Sequence, residues 1–120
     1  MTNKKMNDKV YSERRQVMDI VYEAKKLLGD KFERVDVRIG KANKGEIALG
    51  VGRLNMNIIW IEEKTLTLHK NIRRQIVLHE IVHALTGFGH DDKCPLMKPC
   101  VDTKTPLDFD TITTAFLKYF

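Results

Sequence analysis

One segment, residues 72 to 86, restricts the fold most, because as a helix it is apolar around nearly its whole circumference. An apolar stripe on one side would place a helix at the surface, whereas apolar residues all round predict a helix enclosed by other elements. Asn71 can cap its start, and Gly87 and Gly89 can end it. The rest of the chain must therefore supply the layers around it. The apolar residues are Ile72, Ile76, Val77, Leu78, Ile81, Val82, Ala84 and Leu85.

The segments upstream predict a helix followed by strands. Residues 12 to 28 carry apolar side chains at spacings of three and four, which is typical of an amphipathic helix, and Gly29 can end it. Residues 32 to 40 alternate between apolar and charged, which predicts a half-exposed strand. Two more strands are expected at residues 46 to 51 and 54 to 61. Residues 65 to 68 form either a short fourth strand or a lead into the central helix.

Downstream, residues 87 to 105 hold two glycines, two prolines and both cysteines, which predicts a long irregular loop. A last helix is expected to begin at residues 105 to 108, with a cap, a proline at the first helical position and an acidic first turn. Its inward stripe would be Phe109, Ile112, Phe116 and Tyr119.

These elements predict an α+β fold, with a small mixed sheet of three to four strands. The sheet is backed by the N-terminal helix, the buried helix, the irregular loop and the C-terminal helix. The length of 120 residues allows one domain, residues 1–120.

Composition excludes several classes of protein. With 42% hydrophobic and 31% charged residues, the chain is typical of a globular domain, and no apolar run approaches the roughly 18 residues of a membrane span. The polar first ten residues do not resemble a secretory signal, so we expect a cytoplasmic protein. The net charge is +5, and the first third of the chain is rich in basic residues. Acidic residues interrupt it and no aromatic residues interleave it, so a solvated helix face is favoured and nucleic-acid binding is not expected.

The central helix contains the sequence His79-Glu80-Ile81-Val82-His83. Two histidines four residues apart project from the same face of a helix, one turn apart, so both imidazoles can reach one ion. Zn²⁺ prefers such nitrogen ligands, and Glu80 is placed to act as general base. Burying these polar groups without partners would cost several kcal/mol, which a metal would offset. The pattern predicts a zinc site.

The stretch HEIVHALTGFGHDDKCPLMKP, residues 79 to 99, resembles the metzincin clan of zinc metallopeptidases. That pattern has a helical HExxH, a glycine turn, a third histidine and a downstream methionine turn. The resemblance assigns the glycine turn to Gly87, the third ligand to His90 and the methionine turn to residues 96 to 99. Met97 would form an apolar floor beneath the three imidazoles.

The spacing of the third ligand departs from that pattern by one residue. The clan places the glycine three residues and the histidine six residues after the second histidine, whereas Gly87 and His90 follow His83 by four and seven. The helix can run one residue further and leave the ligands in place. Otherwise Asp91 or Asp92 would be the third ligand, although neutral imidazole is the common one at such sites.

The resemblance implies a metalloendopeptidase that hydrolyses peptide bonds with a zinc-bound water activated by Glu80. Its partner would be a peptide or protein substrate, bound as an added strand along residues 46 to 51. Two rivals remain. The first is another HExxH peptidase whose third ligand is Asp108 or Asp110. The second is a non-catalytic zinc-containing binding module, although such a module has no use for a base at Glu80.

The two cysteines, Cys94 and Cys100, are six residues apart and flank the methionine turn. Two cysteines cannot complete a structural metal site unaided, and no CxxC pair exists. Free thiols are favoured, with a disulfide second. His69 precedes the central helix without a partner at metal-ligand spacing, so we expect it to lie at the surface or to be hydrogen-bonded.

Overall fold

A computed structural model describes residues 3–40, 50–52, 57–99 and 101–120 of the chain. Within these residues the chain is a mixture of helices and strands, so the broad α+β prediction is confirmed. The elements in chain order are α1 (Asn3–Leu28), β1 (Asp36–Gly40), β2 (Gly50–Gly52), β3 (Ile58–Glu62), α2 (Lys70–Thr86) and α3 (Phe109–Leu117).

The sheet is built on the parallel pair β1 and β3, in which Val37 lies opposite Ile59. On the other side of β3, the three residues of β2 pair in the antiparallel direction, with Val51 opposite Trp60. The described sheet is therefore smaller than the sequence suggested. The predicted strands at 46 to 51 and 54 to 61 lie partly outside the described residues, because these omit 41–49 and 53–56.

Residues 65 to 68 do not form a fourth strand. A 3₁₀ turn spans Glu63–Thr67, with Thr65 and Leu66 buried. Leu68 N donates to Thr65 O at 3.1 Å, and Thr67 Oγ1 donates to Lys64 O at 2.7 Å. The alternation of threonine and leucine suggested a strand, but these local hydrogen bonds satisfy the polar groups without one. The segment therefore serves as the lead into α2.

Helix α1 starts earlier than the apolar periodicity indicated, at residue 3 rather than 12. Residues 3 to 11 contain no glycine or proline, so nothing in that stretch interrupts the backbone hydrogen bonds. Apolar periodicity shows only where a helix packs on a core, and a helix can extend beyond it. No helix among the described residues combines the length and the apolar character needed to cross a membrane.

Helix α2 is the centre of the molecule, as predicted from its apolar circumference. It contacts α1, α3, β2 and β3, and all its residues from Arg74 to Ala84 are buried. The N-cap is His69 rather than Asn71, because the exposed His69 ring accepts a hydrogen bond from Asn71 N through Nδ1 at 3.1 Å. This contact confirms that His69 is a hydrogen-bonded surface residue. The helix ends at Gly87, whose φ of 75° is left-handed.

Helix α3 starts later than expected, at Phe109. Its N-cap is Asp108, whose Oδ1 accepts from Thr111 N at 2.8 Å, so residues 105 to 107 precede the helix. Ile112 and Phe116 are fully buried, as the predicted inward stripe requires, but Phe109 is 51% exposed. The reason is that Phe109 lies in the first turn, where its ring covers the guanidinium of Arg74 instead of entering the core.

Arg74, which is buried, ties the three helices together. Its Nε donates to Glu23 Oε1 in α1 at 3.1 Å, and its Nη1 donates to Phe109 O at 3.1 Å. Its Nη2 donates to Thr113 Oγ1 at 2.6 Å, and its carbon Cζ lies 3.8 Å from the centre of the Phe109 ring. A planar guanidinium can satisfy several partners at once, so the buried charge is compensated from both neighbouring helices.

We predict that Arg74→Ala lowers the free energy of unfolding by about 3 kcal/mol, because it removes one partner of a largely buried ion pair. Urea denaturation of the variant and the wild type measures the difference. Lys70→Ala, at an exposed position of the same helix, is the matched control and should change stability by less than about 0.5 kcal/mol. Equal stability of the two variants would contradict this role for Arg74.

Candidate metal centre

Helix geometry brings His79 and His83 together on one face of α2. Both side chains are buried, with 7% and 6% of the residue exposed, and their ring centroids are 4.7 Å apart. The rings meet edge to face, at an interplanar angle of 84°. The closeness of the two rings follows from the i, i+4 spacing, because a helix places such residues one above the other, one turn apart.

Backbone carbonyls fix which nitrogen of each ring carries the proton. His79 Nδ1 lies 2.7 Å from Leu96 O, and His83 Nδ1 lies 2.7 Å from Phe88 O. A carbonyl oxygen can only accept, so each Nδ1 must be the donor. In the neutral rings the Nε2 atoms then carry lone pairs. These two Nε2 atoms face each other at 3.0 Å.

The third histidine reaches the cluster through the turn that ends α2. Gly87 N donates to His83 O at 3.1 Å, and Thr86 Oγ1 donates to Val82 O at 2.6 Å. The helix thus continues through Thr86 and absorbs the extra residue in the spacing. His90 follows, with its ring centroid 5.2 Å from that of His79 and 4.9 Å from that of His83. One ligand atom from each histidine lies within 4.8 Å of the others.

The loop after His90 folds back onto the helix and is closed by its own hydrogen bonds. Asp91 N donates to Met97 O at 2.8 Å, and Met97 N donates to Cys94 O at 3.2 Å. Met97 is fully buried, and its neighbour Leu96 supplies the carbonyl that holds His79. The methionine segment therefore positions the first histidine through its backbone. The apolar floor expected of the Met97 side chain stays a prediction.

The acidic residues considered as alternative third ligands lie outside the cluster. Among the described residues, the group able to hold a metal consists of His79, His83 and His90. The Asp91 carboxylate accepts a hydrogen bond from Lys93 N at 2.9 Å, and the Asp108 carboxylate caps α3. Both carboxylates therefore bind nearby backbone N–H groups. Asp92 and Asp110 are exposed, and neither belongs to the group.

Glu80 lies directly beside the paired imidazoles. Its Oε1 is 3.6 Å from His79 Nε2 and 3.9 Å from His83 Nε2, and the side chain is 4% exposed. These distances are longer than hydrogen bonds. The carboxylate therefore faces the point on which the histidine nitrogens converge without belonging to the group of three.

The donor set fits a cation such as Zn²⁺. Two nitrogen lone pairs at 3.0 Å repel each other unless a positive charge lies between them. Tetrahedral zinc with nitrogen ligands separates the nitrogens by roughly 3.3 Å, close to the spacing of His79 and His83. His90 is exposed, and its ligand atom lies within 4.8 Å of those of His79 and His83. The three histidines are thus close enough to bind a metal ion, and their imidazole nitrogens are a type of ligand that zinc prefers.

Burial keeps the helix pair in the uncharged form that a metal requires. It lowers the pKa of His79 from 6.5 to about 4, although the Leu96 carbonyl opposes the shift. Burial also lowers the pKa of His83, again against the effect of a carbonyl, that of Phe88. A ligand histidine must be neutral to donate its lone pair. Near pH 7 no proton therefore competes for the Nε2 of His79.

A cavity of about 590 Å³ begins at Asp91, the residue after His90. Asp91, Lys93, Cys94 and Pro95 line one side of it, and residues of α3 line the other. The Tyr119 hydroxyl hydrogen-bonds the Cys94 thiol there, and burial raises the pKa of Tyr119 to about 12. Cys94 is a free thiol, while Cys100 lies outside the described residues.

The sequence did not reveal the carbonyls of Leu96 and Phe88, which orient the two helix histidines. Every residue carries a carbonyl, so no residue type marks these two. Spacing gives one hint, because Phe88 follows directly after the left-handed Gly87, where the chain must turn back over the last turn of α2. The position of Leu96 depends on the loop closure and has no local signal.

Comparison with known proteins assigns the chain to no group. No protein-family model matches it, and neither a curated protein nor a solved structure is similar to it.

We predict that metal-free protein loses stability as the pH falls from 6.5 to about 4. The folded pKa of His79 lies below the unfolded value, so in this window the unfolded chain binds more protons and folding becomes less favourable. The loss attributable to His79 is about 3 kcal/mol. Urea denaturation in chelator at several pH values measures it. The slope should be shallower in His79→Gln and unchanged in His69→Gln. Equal slopes in all three proteins would contradict the prediction.

We also predict that His90→Ala weakens zinc binding by at least about 100-fold, because it removes one of three ligands. Asp91→Asn, which keeps an acceptor for Lys93 N, should bind zinc as the wild type does. Competition with a chromophoric chelator gives both affinities. Full affinity in His90→Ala together with a loss in Asp91→Asn would show that the carboxylate is the ligand.

Proposed function

We propose that the protein is a zinc-dependent metalloendopeptidase, which hydrolyses peptide bonds in a peptide or protein substrate. One observation carries the proposal: three histidine nitrogens converge beside a buried carboxylate, that of Glu80, which does not belong to the set of three. A purely structural zinc site usually fills all four positions with protein ligands and needs no base. Three ligands and an adjacent base are typical of a hydrolytic centre.

His79, His83 and His90 would hold the metal. Bound zinc supplies a Lewis acid that polarises a substrate carbonyl. The Leu96 and Phe88 carbonyls keep each Nδ1 protonated, so that both Nε2 lone pairs point to the metal position. His90 lies on the exposed side of the cluster, and this is the side from which a substrate would approach.

Glu80 would carry the proton. Its Oε1 faces the two Nε2 atoms from 3.6 and 3.9 Å, so a water attacking the substrate carbonyl at that point would be within its reach. The carboxylate would accept a proton from this water and then deliver it to the leaving amine nitrogen. Because the side chain is nearly inaccessible, bulk water would compete little for this proton.

The proposal is also supported by the resemblance to metzincins, which is limited to residues 79 to 99. In that clan a methionine turn lies under the metal. The buried Met97 is compatible with that role, because its segment closes onto His79 through Leu96 O. The extra residue before His90 is compatible as well, because α2 runs one residue further before it turns.

The substrate would bind as an extended strand next to β2. In the described sheet β2 lies at the edge opposite β1, and it contacts α2, the helix that carries His79 and His83. An edge strand offers main-chain hydrogen bonds that do not depend on the substrate sequence. A substrate side chain would enter the cavity between α3 and residues 91 to 95.

We predict that Glu80→Gln lowers kcat/KM for peptide hydrolysis by at least about 100-fold, while zinc affinity stays within a few fold of the wild type. The substitution removes the proton acceptor but keeps the size of the side chain. Hydrolysis of casein and of a quenched fluorescent peptide library measures the rate, and chelator competition measures the metal. Glu63→Gln, a carboxylate in the turn before α2, is the matched control and should cleave normally.

Two results would contradict the proposal. If zinc-loaded wild type cleaves no member of a broad library, the peptidase proposal fails and a zinc-containing binding module becomes the favoured alternative. If Glu80→Gln cleaves at the wild-type rate, the hydrolysis proceeds by another mechanism or comes from a contaminant.

A further inference from the structure

A groove separate from the metal cluster runs between one face of α1 and the start of β1. It encloses a cavity of about 440 Å³. Its floor is apolar, since Val21, Val35 and Val37 are all less than 8% exposed. Its rim includes Tyr22, which is 56% exposed, although a large aromatic ring is costly to leave in water. A deep apolar floor with an exposed aromatic rim is typical of a binding surface.

The rim of the groove is basic. Arg14 and Lys25 project from α1, and Arg34 precedes β1; all three are exposed. None of them forms an ion pair with another described residue. The acidic residue of the groove, Asp36, is held by Arg38 at 3.1 Å. No described carboxylate pairs with these three cations, which line a groove with an apolar floor and are complementary to a ligand that is acidic and partly apolar.

The outer edge of β1 carries no other strand of the described sheet. Within the described sheet β1 is an edge strand, with β3 as its partner. Asp36 N donates to Asn57 O at 2.8 Å, at the start of β3, so the polar groups of Asp36 point toward β3. Adjacent residues of a strand direct their N–H and C=O groups to opposite edges. Those of Val35 and Val37 thus face outward, where Arg14 Nη1 donates to Val37 O in a long hydrogen bond of 3.5 Å. An added strand would replace this contact and leave Arg14 to pair with a carboxylate.

We propose that this groove binds an extended acidic segment of a partner protein, which adds as a strand to the outer edge of β1. Main-chain hydrogen bonds to Val35 and Val37 would hold the segment, and its carboxylates would pair with Arg14, Lys25 and Arg34. A peptide accounts for all three features: the strand edge that is unpaired in the described sheet, the apolar floor and the basic rim. A nucleic acid would use the cations but has no backbone that pairs with a strand edge.

The groove is independent of the proposed hydrolysis. Its strand, β1, lies at one edge of the sheet, and β2, the strand proposed to bind substrate, lies at the other. A test by binding alone therefore keeps the two proposals apart. The full chain carrying Glu80→Gln serves as the background, so that no probe is consumed.

The probe is a fluorescent peptide of about eight residues in which glutamate and valine alternate, long enough to span β1 at roughly 3.3 Å per residue. Fluorescence anisotropy measures its affinity. We expect the triple substitution Arg14→Glu, Lys25→Glu and Arg34→Glu to weaken binding by at least about tenfold, because it reverses the charge of the rim. The control triple Lys98→Glu, Lys104→Glu and Lys118→Glu has the same net charge and should bind normally. Circular dichroism verifies that both variants fold.

Three further kinds of probe test the chemistry of the ligand. A peptide with lysine in place of glutamate should bind at least about tenfold more weakly. Two further glutamate peptides are each N-methylated on one of the two alternate sets of backbone amides, and at least one of them should also bind at least about tenfold more weakly. The third kind of probe is a single-stranded oligothymidylate of equal charge. Absence of glutamate-peptide binding, equal binding by both triple variants, indifference to N-methylation of both sets, or tighter binding of the oligonucleotide at the same three residues would overturn the proposal.

Discussion

The enclosure of α2 on every side is the constraint on which the rest of the structure depends. A helix in that position can carry polar side chains only if each has a partner, because water cannot reach them. On this helix the partners of the two histidines come from the chain that follows it, through the carbonyls of Phe88 and Leu96. The fold therefore gives the Nδ1 atom of each ring a hydrogen-bond partner and leaves both Nε2 atoms directed at a shared point. The candidate metal centre is thus a consequence of how the polar side chains of a buried helix obtain hydrogen bonds.

How much the sequence could predict depends on the range of the interactions involved. The pairing of His79 with His83 follows from helix geometry alone, and the position of α2 follows from its apolar residues. For residues 65 to 68 the sequence left a strand and a lead into α2 open, and a hydrogen bond between residues three apart favours a 3₁₀ turn that leads into the helix. The start of α3 was predicted too early, because the side chain that caps the helix is that of Asp108 and not that of Thr105. The loop carbonyl that orients His79 lies 17 residues away, and no local pattern specifies such a contact.

The two edges of the sheet differ in chemistry. At the β1 edge, three cations surround an apolar floor, whereas the β2 edge lies against the helix that holds the histidines. A uniformly spread excess charge would act only as a weak, salt-sensitive attraction at long range. Beside a strand edge that is unpaired in the described sheet, three cations would, in the proposed binding mode, favour a ligand by both the sign of its charge and its extended backbone.

The unequal exposure of the three histidines has a consequence for the order of events when a metal arrives. His79 and His83 are each held by the helix and by one backbone carbonyl, so their Nε2 atoms already face each other. His90 lies at the surface, on the turn that follows α2. In the proposed zinc site, the helix pair would therefore bind the ion first and His90 would bind it second. The lifetime of a bound metal would then depend on how readily residues 87 to 90 move away from the helix.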